Sequence, residues 1–226
     1  MEFKAAILQL GAKSARLKDV LKTEESVKTA IILPFLQVLG YDVFDPSVIL
    51  PEFIADVGTK KGEKVDYAIL EGEQLKLLIE CKPFNESLGK HGGQLFRYYT
   101  VSKVRFGLIT NGLDFRFFAD IDTSNIMDND PFFQFDITNL SDGDIETLEW
   151  FHSDYFDEAK VLEVARQMKY AVALKRIMHQ EIQNPSVNFM KFWIGHIYDG
   201  KLTEKALREF SPMVVKALQE HFKLNL

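Results

Sequence analysis

Two acids and one amine in this chain are spaced so that they could do chemistry together at the end of a strand. The segment Leu77-Leu78-Ile79-Glu80-Cys81-Lys82 begins with three apolar residues and ends with a carboxylate and an ammonium two positions apart. Because alternate residues of a strand share a face, Glu80 and Lys82 would point to one side and Cys81 to the other. An acid and an amine at the end of a buried strand are destabilising unless they are paired or hold a cation.

Asp66 is the second acid, and it lies in the preceding predicted strand with thirteen residues between it and Glu80. Directly opposite each other in a hairpin, the two acids share a face if the connecting loop has an odd number of residues, such as three residues around Gly72. A two-residue loop would put them on opposite faces unless a β-bulge intervened. The register of this hairpin therefore decides whether the acids meet.

Two carboxylates held close together repel each other, and a divalent cation removes that repulsion. Mg²⁺ prefers a few carboxylate oxygens together with waters and phosphate oxygens, so we expect Asp66 and Glu80 to bind Mg²⁺ or Mn²⁺. The backbone carbonyl of Cys81 could add a third oxygen. Lys82 would then lie near a bound water and the scissile phosphate, where it could position the nucleophile or stabilise developing charge. This chemistry is metal-dependent hydrolysis of a phosphodiester; an ordinary surface ion pair explains the pattern equally well.

A third acid, Glu24, precedes these strands at the start of a predicted helix. Thr23 is a favourable N-cap, and the helix should run to Leu39 and end at Gly40, with a kink at Pro34. Glu24 shares the apolar stripe of this helix and so faces the core. It could support the metal site, or it could only compensate the helix dipole.

The segments that must position these residues are strands flanked by helices. The predicted strands are 52–57, 64–70, 75–82, 105–110, 114–119 and an edge strand at 132–137. The predicted helices are 2–21, in which Gly11 is a candidate break, 24–39, 94–102, 142–152, 158–183, 186–198 and 203–223. This order predicts an α/β fold, with a mixed β-sheet and flanking helices in a domain at 1–140 and an all-helical extension at 141–226.

Composition and charge limit the classes of protein to consider. The chain has 226 residues, 46% of them apolar, and a single Cys, which excludes an internal disulfide and favours a reducing, cytoplasmic setting. We find no signal-peptide pattern and no window long enough to span a bilayer, so we expect no membrane association. The net charge of −6 argues against a uniformly basic nucleic-acid-binding surface.

The charges are nevertheless unevenly distributed along the chain. Basic residues concentrate between Lys60 and Arg105, and acids dominate from Asp114 to Glu158. A basic region beside an acidic flank is compatible with an enzyme that contacts nucleic acid locally, and chance clustering on a solvated surface accounts for it as well.

The motif formed by Asp66 and Glu80-Cys81-Lys82 resembles the core of the PD-(D/E)XK nuclease superfamily, with Val65 in place of the usual proline. Gln94-Leu95-Phe96-Arg97-Tyr98 resembles the Gln-xxx-Tyr motif of RecB-like members. Residues 20–120 are similar to the N-terminal domain of the type I restriction enzyme R subunit. This similarity rests on Thr23-Glu24, Leu39-Gly40-Tyr41-Asp42, Val65-Asp66-Tyr67, Ile79-Glu80-Cys81-Lys82 and Thr110-Asn111-Gly112.

The resemblance implies a restriction-endonuclease-like fold and a metal-dependent nuclease that acts on DNA. It implies Asp66, Glu80, Lys82 and the helix acid Glu24 as catalytic residues. Gln94 and Tyr98, on one face of a helix, would orient the substrate, although they could also be an ordinary surface residue and a half-buried ring. The most similar family members are stand-alone chains, often from phages or prophages.

No ATP-binding phosphate loop occurs in the sequence, so we expect no DNA translocation by this chain alone. Two other functions stay open: a catalytically silent nucleic-acid- or protein-binding module of a restriction or anti-restriction system, and a nuclease for RNA. The helical extension could form a homodimer or bind a protein partner, and its pattern favours neither.

Overall fold

The site-bearing strands belong to a six-stranded sheet in a computed structural model that describes residues 3–54, 64–88 and 93–222, without the side chains of Gln94 and Phe222. The strands are β1 (Ile49–Phe53), β2 (Val65–Glu71), β3 (Gln74–Cys81), β4 (Phe106–Thr110), β5 (Asp114–Ala119) and β6 (Phe133–Asp136). They follow one another in chain order across the sheet, and only β3 and β4 pair in parallel. The predicted mixed sheet is confirmed, including its edge strand.

The helices precede, interrupt and follow these strands along the chain. They are α1 (Phe3–Leu17), α2 (Glu24–Val27), a π-helical turn (Lys28–Ile32), α3 (Leu33–Val38), α4 (Gly93–Ser102), α5 (Asp142–Glu149), α6 (Glu158–Gln183), α7 (Val187–Gly195) and α8 (Glu204–Phe222). The predicted α/β fold with C-terminal helices is therefore confirmed. Among the described residues, none of these helices combines the length and the apolar character that a membrane span requires.

The helical run from Glu24 to Val38 has the predicted ends and a different interior. Thr23 caps it through a reciprocal pair of hydrogen bonds with Ser26, and Gly40 follows it with φ of 82°. A simple kink at Pro34 was expected. The structure has a π-helical turn just before this proline, which fits a residue that cannot donate its own backbone hydrogen bond.

Two apolar clusters cover the two faces of the sheet. The larger one joins α1, α2, the π turn, α3 and α5 to residues such as Ile79 and Phe117. The smaller one joins α4, through Leu95 and Tyr98, to Ala68 and Leu78. Because Leu78 and Glu80 are two positions apart on β3, the α4 side of the sheet is also the side on which Glu80 lies.

Two other predicted boundaries differ from the structure. Strand β1 begins at Ile49, within the segment interpreted as an extended connection, and the predicted strand end and turn at 55–62 lie outside the described residues. Helix α1 passes through Gly11 without a break. This glycine is required for packing, because a Cβ atom there would lie 2.1 Å from the carbonyl oxygen of Ile137.

The chain divides into two compact units, Met1–Lys169 and Tyr170–Leu226. Helix α5 and the first part of α6 contribute Ile145, Leu148 and Val161 to the larger cluster of the first unit. In the second unit α7 and α8 pack around a small separate core. The domain division at residue 140 stays a prediction, although helical structure does begin there.

Replacing Gly11 by alanine should destabilise the fold by about 1–3 kcal/mol, because the new methyl group would force α1 away from the backbone of Ile137. Helix propensity predicts the opposite sign, a gain of about 1 kcal/mol. The matched control is Gly143→Ala in α5, where the nearest atom to a Cβ is 3.8 Å away and no loss is expected. Urea denaturation of both variants measures the difference; equal stabilities would contradict the packing argument.

Candidate active site

The β2–β3 hairpin has the short turn that would separate the two acids, and also the bulge that brings them back together. Glu71 pairs with Gln74 across a two-residue turn that contains Gly72, with φ of 60°. The pairing register then shifts between Ile69 and Leu70. This bulge reverses the change of face that a two-residue turn would impose.

Beyond the bulge, the register aligns the acids directly. Tyr67 pairs with Ile79, and the same register continued by one residue places Asp66 opposite Glu80. A hydrogen bond confirms the proximity of the two strands here, because the backbone N–H of Cys81 donates to Asp66 Oδ2 at 2.6 Å. The expectation that the two carboxylates converge is therefore met through the bulged two-residue loop.

Asp66 is mostly buried and is held at both of its oxygens. While Oδ2 accepts the Cys81 N–H, Oδ1 forms an ion pair with the ammonium of Lys28. The side chain is 12% exposed, and its pKa is raised because burial disfavours the charged form. The hydrogen bonds from Lys28 and Cys81 oppose this shift. Asp66 thus has a defined orientation before any ligand arrives.

Glu80 has one paired oxygen and one unpaired oxygen. Lys82 Nζ lies 2.6 Å from Glu80 Oε1, whereas Oε2 is buried and has no hydrogen-bond partner among the described residues. Burial raises the pKa of Glu80 to about 6, and the charge of Asp66 adds to the shift. A buried carboxylate oxygen without a partner is rare in folded proteins and indicates a missing ligand or water.

Lys82 is partly exposed at the same place, with 18% of its side chain accessible. Burial lowers its pKa, but the hydrogen bond to Glu80 and the charges of the nearby acids outweigh burial, so the pKa is raised. Lys82 is therefore protonated at neutral pH. It can donate hydrogen bonds and stabilise negative charge, and it cannot accept a proton from water.

Lys28 is the site residue that the sequence interpretation missed. Its side chain is 6% exposed, and its ammonium contacts Asp66, Glu24 Oε1 at 3.0 Å and Glu25 Oε1 at 2.9 Å. Burial lowers the pKa of Lys28, and hydrogen bonds to Asp66, Glu25 and Glu24 raise it further than burial lowers it. A usable signal existed, because Lys28 follows Glu24 by four residues on the core-facing stripe.

The other predicted residues have mixed outcomes. Glu24 reaches the site through Lys28, and its side chain is 34% exposed. Tyr98 lies on the same side of the sheet as Glu80, but its ring is buried and only 1% exposed. The side chain of Gln94 lies outside the described residues. The thiol of Cys81 is buried in the larger cluster with a raised pKa, so only its backbone carbonyl remains a candidate ligand.

The formal charges of the cluster do not balance. Four carboxylates, those of Glu24, Glu25, Asp66 and Glu80, surround two ammonium groups, which leaves two negative charges when all groups are ionised. Among the described residues, no three His, Cys, Asp or Glu side chains form a ready metal-binding group. The donor set suits a cation that takes few carboxylates and completes its shell with water and phosphate, as Mg²⁺ does.

The fold and the site together define a class: an α/β domain whose acid–lysine cluster lies at the end of a central strand. Residues 23–129 match the family model described as type I restriction enzyme R protein N terminus (HSDR_N). This match assigns that segment, which contains the whole cluster, to the family and relates the chain to restriction systems. Neither the curated proteins nor the solved structures contain a significant match.

The burial of Glu80 leads to a pH-dependent prediction for the metal-free protein. Because the folded state raises the pKa from 4.5 to about 6, bound protons stabilise it at low pH, and that stabilisation is lost as the pH rises through 6. The Glu80→Gln variant has no carboxyl group to titrate at this position, so it cannot lose this stabilisation. The stability of this variant relative to wild type should therefore rise by about 2 kcal/mol from pH 4.5 to pH 7.

Urea denaturation at a series of pH values in EDTA measures this difference. Wild type in the same buffers provides the reference at each pH. A stability difference that stays constant across the range would show that Glu80 titrates as an ordinary exposed acid.

Proposed function

We propose that this chain is a divalent-cation-dependent nuclease domain of the PD-(D/E)XK type that hydrolyses phosphodiester bonds in DNA. The observation that carries the proposal is the unpaired, buried Oε2 of Glu80 directly across the hairpin from Asp66. A carboxylate oxygen in this position is expected to have a cation or a water as partner. The two uncompensated negative charges of the cluster favour a divalent cation.

Asp66 and Glu80 would hold the cation, with the backbone carbonyl of Cys81 as a further oxygen. A divalent cation bound there supplies a Lewis acid for the phosphate and lowers the pKa of a coordinated water. Both carboxylates are already oriented, Asp66 by the Cys81 N–H and Glu80 by Lys82. This pre-organisation reduces the cost of assembling the site when substrate binds.

Lys82 has a specific role in this proposal. Its ammonium stays protonated at neutral pH beside Glu80 and is partly exposed, so it can face a bound phosphate. We assign it to donate hydrogen bonds to the attacking water or to a phosphate oxygen as negative charge develops. The proton that the water loses passes to solvent or to a phosphate oxygen in this proposal.

The substrate contacts are proposed on different grounds. Tyr98 and Gln94 are one turn apart on α4, which covers the face of the sheet that carries Glu80. Gln94 would contact the phosphate backbone, and the buried Tyr98 would fix the position of the helix. DNA is proposed as the substrate because the matched family belongs to a restriction enzyme.

Asp66→Ala should abolish divalent-cation binding, because it removes the carboxylate that faces Glu80. The measurement is isothermal titration calorimetry with Mn²⁺ and Mg²⁺, and wild type should bind. Glu71→Gln is the matched control, since this acid lies on the same strand, is exposed and pairs with Lys76 instead. Absence of metal binding by wild type would favour the alternative, a binding module without catalysis.

Lys82→Met should lower the rate of plasmid nicking in Mn²⁺ by about 100-fold or more, as expected for the loss of a charge-stabilising donor. Metal affinity should not fall, because the carboxylates remain and a positive charge is removed. Matched DNA and RNA oligonucleotides tested in parallel distinguish the two substrates. Equal nicking by wild type and Lys82→Met would exclude the assigned role.

A further inference from the structure

Lys28 occupies a position that resembles a cation-binding site. Its ammonium is surrounded by carboxylates from two elements, Glu24 and Glu25 on the helix and Asp66 on strand β2. An ammonium group has three hydrogen-bond donors and no acceptor, so one donor can serve each acid. The side chain is nearly inaccessible, which indicates that this charge is a fixed part of the structure.

Asp66 lies between the Lys28 ammonium and Glu80, whose Oε2 has no partner among the described residues. One of its oxygens contacts Lys28, while the strand register places Glu80 across from it. Asp66 is therefore the carboxylate that two neighbouring positive centres would share. One of these positions contains Lys28, and the other faces the unpaired Oε2 of Glu80.

Enzymes that cleave phosphodiesters commonly place two divalent cations about 3.5–4 Å apart, on carboxylates near the reacting phosphate. Both cations neutralise charge that develops in the transition state. In this chain one of the two corresponding positions has a lysine instead. An ammonium supplies positive charge there without depending on the metal concentration.

We propose that Lys28 takes the place of a second divalent cation, so that the site binds one metal ion and uses a lysine for the other positive charge. This inference rests on the proposed function, because it assumes a metal position between Asp66 and Glu80. Removing Lys28 should open the second position. The acids Glu24, Glu25 and Asp66 would then be left without their cation, and a metal ion would be attracted in its place.

The test is the number of Mn²⁺ ions bound per chain, measured by calorimetry and by electron paramagnetic resonance. Wild type should bind one ion, and Lys28→Met should bind one more, with the magnetic coupling expected of two neighbouring Mn²⁺ ions. Lys28→Gln is a second variant with a polar side chain, in case the methionine impairs folding. Lys76→Met is the control, because Lys76 is similarly buried and pairs with Glu71 elsewhere on the sheet.

The outcomes separate this inference from the proposed function. One ion in wild type and one more in the Lys28 variants support the inference. No ion in wild type removes the metal position on which the inference rests, and overturns it together with the proposed function. Equal numbers in wild type and in both variants overturn the inference, and one ion in each would leave the proposed function intact. Two magnetically coupled Mn²⁺ ions in wild type also overturn the inference, whether or not the Lys28 variants fold. A gain of an ion by Lys76→Met would show that the effect is not specific to Lys28.

Discussion

The repulsion between Asp66 and Glu80 is the constraint on which the rest of this site depends. Two carboxylates a few ångströms apart cost about 4 kcal/mol near a protein surface and more where water is excluded. The structure offsets part of this cost with Lys28 on one acid and Lys82 on the other. The remaining charge and the unpaired oxygen of Glu80 explain why a further cation is expected there.

Each layer of the fold contributes one component of this arrangement. The bulged hairpin supplies the two acids and their alignment. The capped helical run, with its π turn, places Glu24, Glu25 and Lys28 against the end of β2. The parallel strand β4 covers the other edge of β3, so that the backbone around Cys81 is fixed from both sides. Displacing the hairpin or the helical run would leave a buried charge without its partner.

The match to the N-terminal segment of the type I restriction R protein and the geometry of the cluster describe different aspects of the same residues. The match relates residues 23–129 to restriction systems without describing the chemistry of this chain. The geometry describes a charged, pre-oriented and incompletely neutralised site without indicating its substrate. The two combined make a DNA nuclease a more economical interpretation than a surface ion pair, because a surface pair would not leave Glu80 Oε2 buried and unpaired.

Local patterns in the sequence determined the order of helices and strands, the cap at Thr23 and the motif of Asp66, Glu80 and Lys82. These features depend on periodicity and on turn or cap residues within a few positions, so they can be recognised without the fold. The same local patterns did not determine whether Asp66 and Glu80 share a face. That depends on the hairpin register, which is set by a bulge between Ile69 and Leu70 that no residue type in the sequence predicts. Gly11 was misinterpreted as a break for a similar reason, since its contact with Ile137 joins distant parts of the chain.

Only the tertiary structure decided the role of Lys28. Its pairs with Glu24 and Glu25 are local to the helical run, but its third partner, Asp66, lies on a strand that meets this helix only after folding. The extent of burial, which shifts the pKa of Glu80 and leaves one oxygen unpaired, also results from packing between elements. Sequence therefore determined which groups were available for chemistry, and the fold decided which charges are neutralised, because electrostatic energy depends on distances and burial in space.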